Sequence, residues 1–311
     1  MASEIPASPT LDPQLFEDWD DEDDISWKSP LDSLIKGTQT PLQVAQQIDT
    51  LLRAETFSRL QQLSDYANSH DLTPEDRESG DCWGGLYPPN AGALAQDQVI
   101  RSWCRVCEAF SPYSEGQNRL VELLEQLRQL PRWMAPETHP DENGDVVESE
   151  FWAFGRKWIG LENEFRKHHA GGVKPYYYRD LAAHNRWRNF QHAMARITAI
   201  GLMYCAPWNA LSDLVIANDP GCKANVEYDI IAAAQWLVWP VECRYVYGEC
   251  LKKETTEHYW EPWSKEKWRQ WKLEFGRVGN CAGYDEKTRS VARQALSRMR
   301  DVEGSEGSGN D

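Results

Sequence analysis

Apolar residues recur at three- and four-residue steps along most of this 311-residue chain. That is the signature of helices with one buried face. Thr40-Pro41 reads as an N-cap followed by a proline at the first helical position. Leu42, Ala45, Ile48 and Leu52 then carry a helix to about Asn68. A second helix is predicted from Leu94 to Phe110, with Trp103, Cys107 and Phe110 inward, and Pro112 ends it. Ser114 caps a third, Glu115 to Leu130, with Leu120, Leu123, Leu124 and Leu127 on one side. A fourth follows Ser149, with Trp152, Trp158, Ile159 and Phe165 in register. A fifth runs from near Arg179 to Cys205 on the stripe Trp187, Phe190, Met194, Ile197, Gly201 and Tyr204. In the sixth, Val226 to Lys253, only Gln235 is polar between Ile230 and Val241. A helix apolar all round is a central one, and Pro240 inside it predicts a kink. Ser264 caps a seventh helix carrying Trp268, Trp271 and Phe275, and a last one spans Asp285 to Arg300. No β-alternating segment of useful length and no fixed repeat stands out. The expectation is an all-α chain of about eight helices around a central kinked helix, forming a single domain over residues 39–302.

Charge changes the picture at the ends. The chain carries a net −16, and residues 1–36 hold half of it, with ten acids against Lys28 and Lys36. Pro6, Pro9, Pro13 and Pro30 interrupt that stretch. Residues 1–38 are therefore expected to be a disordered acidic tail, and 303–311 a flexible C-terminal one. An acidic chain has no electrostatic footprint for nucleic acid, and its longest apolar run is too short to span a bilayer. No secretory signal, early arginine or glycosylation sequon is seen. The expected compartment is cytoplasmic or nuclear.

Few residues of the chain fall into a recognised catalytic or metal-binding pattern. Eight cysteines in a reducing compartment are read as buried thiols. Cys104-x-x-Cys107 falls mid-helix and lacks a second ligand pair at zinc spacing. Asp20-Asp21-x-x-Asp24 matches the magnesium-binding pattern of class I terpene synthases, whose aspartates project from a core helix. Here the acids are placed in the tail, and the partner motif begun by Asn209 and Ser212 has Ile216 where it needs Glu. No histidine has the Glu-x-x-His spacing of a di-iron bundle. His184, Arg188 and His192 make a polar helix face, read as solvated. Phosphate-loop and nucleophile-elbow motifs are missing. No catalytic residue, metal site or cofactor is therefore assigned. The polar groups forced inside the sixth helix are Gln235, Glu242 and Arg244. Gln235, Trp236, Trp239 and Arg244 are the candidate ligand-binding residues. Fifteen tryptophans, spread over the helices, read as a ring-built core.

The stretch Trp103 to Pro131 resembles the N-terminal signature of a family catalogued as domain of unknown function 3632. The resemblance rests on Trp103, Pro112, Gln117, Leu120, Val121, Leu123, Leu124, Leu127 and Pro131. Phe151-Trp152, the helix Trp187–Tyr204 and the block Trp263–Phe275 look similar to later parts, so the likeness extends over about Pro41 to Arg300. These are packing motifs. The resemblance implies an intracellular helical protein of filamentous fungi and carries no activity with it. Two functions follow as expectations. The first is a non-enzymatic interaction or scaffold protein, its acidic segment suited to a basic protein partner. The second is a ligand-binding or catalytic helical protein of fungal secondary metabolism, with an aromatic pocket for a small apolar or aromatic ligand.

Overall fold

The computed structural model describes residues 10–70, 94–136, 148–152, 180–216, 225–258 and 261–307. The chain is all-α, with nine helices among those residues: α1 Glu22–Lys36, α2 Pro41–Ser69, α3 Leu94–Ala109, α4 Glu115–Gln129, α5 Leu181–Ala199, α6 Glu227–Ala234, α7 Pro240–Leu251, α8 Lys265–Asn280 and α9 Glu286–Gly307. One short antiparallel ladder joins β1, Met134–Pro136, to β2, Glu148–Glu150, with Ala135 opposite Ser149. The contacts of the chain resolve into two compact units. One comprises residues 1–13, 106–117 and 166–311, the other residues 14–105 and 118–165.

In the second unit the Thr40 hydroxyl accepts from the Gln43 N–H while the Gln43 side chain returns to the Thr40 N–H, a full capping box. Val44, Ala45, Ile48 and Leu52 of α2 are buried. The Trp103 indole donates to the Leu120 carbonyl at 2.9 Å. Asp49 accepts from the indoles of Trp133 at 3.0 Å and Trp152 at 2.6 Å, and from Arg53 at 2.8 Å. A buried indole N–H wants such a partner. Phe151 stacks on Trp133 beside it, ring centres 3.9 Å apart.

The expected N-terminal tail is where the sequence reading fails most. From residue 10 the chain is described, and α1 fills much of what was taken as disordered; residues 1–9 lie outside the described residues. Leu15, Leu31 and Leu34 are buried. The acids do not simply repel. Asp21 is the N-cap, its carboxylate accepting the Asp24 N–H, and Glu22 and Asp24 stand in the first turn, where the helix dipole favours negative charge. Pro30 sits inside α1 and is itself buried. Gly37, in the left-handed conformation at φ 71°, closes the helix.

In the first unit, α9 packs on α6, α7 and α8, and α5 packs on α6 and α7. Ser264 caps α8 as the sequence implies, and Asp285 accepts the Thr288 N–H at the start of α9. α9 runs on to Gly307, so the flexible segment expected from 303 is helical to that point. α5 ends six residues before its expected limit. Gly201, read as part of the apolar stripe, takes φ 70°. Around it the Leu202 N–H reaches the Ile197 carbonyl and the Gly201 N–H reaches that of Thr198, the Schellman pattern. The central apolar helix is broken rather than kinked. α6 stops at Ala234, residues 235–239 form a turn, and Pro240 opens α7. Trp239 takes the extended conformation, φ −98° and ψ 140°, that a following proline enforces. The helix expected after Ser149 lies from residue 153 on outside the described residues, and Ser149 itself belongs to β2.

Candidate functional site

Of the four candidate binding residues, Gln235 and Trp239 are joined by a hydrogen bond. Trp236 is fully buried, and its indole donates to Gln191 Oε1 at 2.7 Å. Gln235 is buried in the turn. Its amide donates to the Ile231 carbonyl at 3.0 Å, and its oxygen accepts from the Trp239 indole at 3.3 Å. Trp239 is half-buried. Arg244, expected inside, is exposed on α7. It follows the buried pair Glu242 and Cys243 and so turns to the opposite side of the helix.

A different cluster converges, and it uses Glu242 from that same set of polar groups. His192 of α5, expected on a solvated face, is fully buried, and Arg188 one turn earlier is nearly so. Gln117 near the start of α4 orients the ring. Its Oε1 accepts from the Tyr113 N–H at 3.0 Å and from His192 Nδ1 at 2.7 Å. Since Oε1 only accepts, Nδ1 carries the proton and Nε2 is a bare acceptor. Nε2 lies 3.8 Å from Glu242 Oε1, too far for a hydrogen bond. The Tyr113 hydroxyl donates to that same Glu242 oxygen at 2.7 Å. His192 Nε2 and Glu242 Oε2 have no hydrogen-bond partner among the described residues.

Rings and one cation complete the cluster. Tyr113 stands 4.9 Å from both His192 and Trp239, and His192 stands edge-on to Trp239 at 5.4 Å. The Arg196 guanidinium lies 4.7 Å from the Tyr113 ring centre, a cation–π contact. Burial holds the His192 pKa well below the ordinary range, and the nearby Arg196 and Arg188 charges push the same way. Burial raises Glu242 against the pull of the Tyr113 hydroxyl. Burial and the Glu242 carboxylate also drive the Tyr113 phenol far up. Each group is thus pressed toward its neutral form. Tyr113 is the outermost member. It is 36% exposed, and its backbone sits at φ 56°, rare for a bulky residue.

The acidic segment forms a second feature, on the other unit. The Glu17 N–H donates to Asp20 Oδ2 at 2.9 Å and the Asp20 N–H to the Glu17 carbonyl at 3.0 Å, closing a tight turn. Lys28 is buried and donates to Asp20, while Arg105 pairs with Glu17 at 2.8 Å. Desolvation pushes the Asp20 carboxyl up, but the Lys28 and Glu17 N–H hydrogen bonds together with the Lys28 and Arg105 charges hold it below the ordinary range. Trp19 stands at the head of this turn, 77% exposed. A shallow cleft of about 130 Å³ beside it is lined by Leu15, Lys28, Arg101 and Arg105 among others. Asp20, Asp21 and Asp24, the residues of the metal-like pattern, are engaged by Lys28, by the α1 cap and by Gln98.

Sequence reasoning named Glu242 and Gln117 without joining them. The His192–Gln117 and Tyr113–Glu242 pairings span 75 and 129 residues, and no local pattern marks such a pairing. Cys104 and Cys107 are both buried on α3, and burial raises the Cys107 thiol well above its usual range. No helix among the described residues is long and apolar enough to cross a membrane. No curated protein and no solved structure matches the chain. A family described as protein of unknown function (DUF3632) matches residues 102–275, a shorter span than the resemblance implied, and these include every member of the Tyr113 cluster and none of α1. With more than half of its length matched, the chain belongs to the DUF3632 family.

Proposed function

We propose that this chain is a non-enzymatic interaction protein that presents Trp19 to a basic protein partner. The observation that carries the reading is a tryptophan 77% exposed at the head of a turn fixed by ion pairs. Holding a large apolar ring out in water costs free energy, and such residues are the usual hot spots of interfaces. The turn is already ordered, so binding loses little further entropy. Asp18, Asp21 and Glu22 are exposed around it and favour a cationic partner surface. The cleft beside Trp19, about 130 Å³, is small for a drug-sized ligand, which needs about 300 Å³ or more. It suits one side chain of a partner.

The test is quantitative capture from native extract by the full chain, by Trp19→Ser and by Leu273→Ser, a control at another highly exposed apolar residue. A partner that Trp19→Ser loses about thirtyfold and Leu273→Ser retains supports the proposal. Equal recovery with all three would refute it. A second reading, a small-molecule-binding protein, is favoured by the two unpartnered acceptors behind Tyr113.

A further inference from the structure

Tyr113 occupies its place in the manner of a bound ligand. Its ring lies among Trp239, His192 and the Arg196 guanidinium, and its hydroxyl donates to buried Glu242. The surroundings are built from three separate segments, α5, the 235–239 turn and α7. They hold more polar atoms than Tyr113 satisfies. His192 Nε2 and Glu242 Oε2 are buried and unpartnered among the described residues. Both sides of the His192–Glu242 contact are fully buried, so a polar group entering there would be held by hydrogen bonds to them. The plug itself is the least settled part of the arrangement. It is partly exposed, and its backbone lies in the left-handed region, rare for a tyrosine. Gln117 would remain in place if the ring swung outward, since it accepts from the Tyr113 backbone N–H and not from the ring.

We propose that the space filled by Tyr113 is a binding slot for a small phenol, which displaces the Tyr113 ring and donates its hydroxyl to the Glu242–His192 pair. The inference rests on the second reading above and not on the first. Tyr113 sets the size, one six-membered ring with a hydroxyl at its inner end, and Glu242 and His192 set the preference for a hydroxyl over hydrogen. Arg196 and Trp239 supply a cation and a ring face to any arene. In the intact chain the tethered ring competes at high effective concentration, so the apparent affinity falls by the fraction of time the slot is open.

The experiment empties the slot by Tyr113→Gly, a residue that accepts φ 56° without strain, and titrates the full-length variant with p-cresol and with toluene by calorimetry. p-Cresol should bind Tyr113→Gly about tenfold more tightly than toluene and about tenfold or more tighter than it binds the unmodified chain. Equal binding of toluene would overturn the phenol slot and leave small-molecule binding standing. Binding of neither to the folded variant would overturn both. Equal p-cresol affinity in the variant and the unmodified chain would place the phenol elsewhere and also overturn the inference. Should Tyr113→Gly not fold, Tyr113→Phe serves. It keeps the ring but lacks the hydroxyl that holds it on Glu242, so p-cresol should bind it several-fold more tightly than the unmodified chain, and an unchanged affinity would count against the slot.

Discussion

Leu31→Ala and Leu34→Ala separate a docked N-terminal helix from a dispensable tail. Both leucines are fully buried on α1. Truncating such a side chain removes its burial and leaves a cavity, about 2.7–5 kcal/mol together. Neither site has solvent to relax into, so about 3 kcal/mol or more is expected for each single variant. The two stand three apart on one helix face and share the space they would vacate. The double variant should therefore cost less than the sum, about 5 kcal/mol. Urea unfolding followed by the fluorescence of buried Trp103 and Trp152, in the same compact unit, reads the loss. At a slope of about 1–3 kcal/mol/M, a 3 kcal/mol loss moves the midpoint by about 1–3 M. Ile25→Ala, at an exposed position of α1, should shift stability by no more than about 0.5 kcal/mol. If all three variants unfold with the parent, α1 is not packed in the folded state and the reasoning is refuted.

Trp236→Ala should cost about 3–5 kcal/mol, with a fall of about 2–4 °C in melting temperature for each kcal/mol; an unchanged melt would mean the buried ring contributes nothing to packing. Cys243 and Cys250 are pushed up to about 12 by burial, so iodoacetamide at neutral pH should label neither until denaturant is added, as read by peptide mapping. His192 gives a pH dependence of definite sign. Its folded pKa lies well below 6.5, so below pH 6.5 the unfolded chain takes a proton that the folded one refuses, and stability falls as pH falls. Glu242, with a raised pKa, acts oppositely, gaining stability as pH falls toward 4.5. The His192 contribution is therefore read by comparing Glu242→Gln with Glu242→Gln/His192→Asn, and the second should show the flatter acid limb.

Helix starts were legible at Thr40-Pro41 and Ser264, which cap the helices their positions imply, but Ser149, read as another start, belongs to β2. Breaks were less so, because one residue can serve two patterns. Gly201 fits the apolar stripe and also the left-handed end of α5, and the second role wins. Pro240 marked a disturbance, but only the structure shows that the chain turns fully before it. The acidic segment misled because net charge was counted without placing it. Asp21 at the cap, Asp20 on buried Lys28 and Leu31 with Leu34 beneath are matters of position. The Tyr113 cluster was illegible for another reason. His192 reads as surface by its neighbours in sequence and is buried by partners at 117 and 242.

Photo-crosslinking from position 19 tests the proposed function most directly. A benzophenone side chain replaces Trp19 in the full-length protein, and a control carries it at Leu273. Irradiation in native extract is followed by identification of adducts. The account predicts a discrete adduct from position 19, absent from position 273, whose partner when purified binds the Trp19→Ser chain about thirtyfold more weakly. The same adducts from both positions, or a purified partner indifferent to Trp19→Ser, would contradict it.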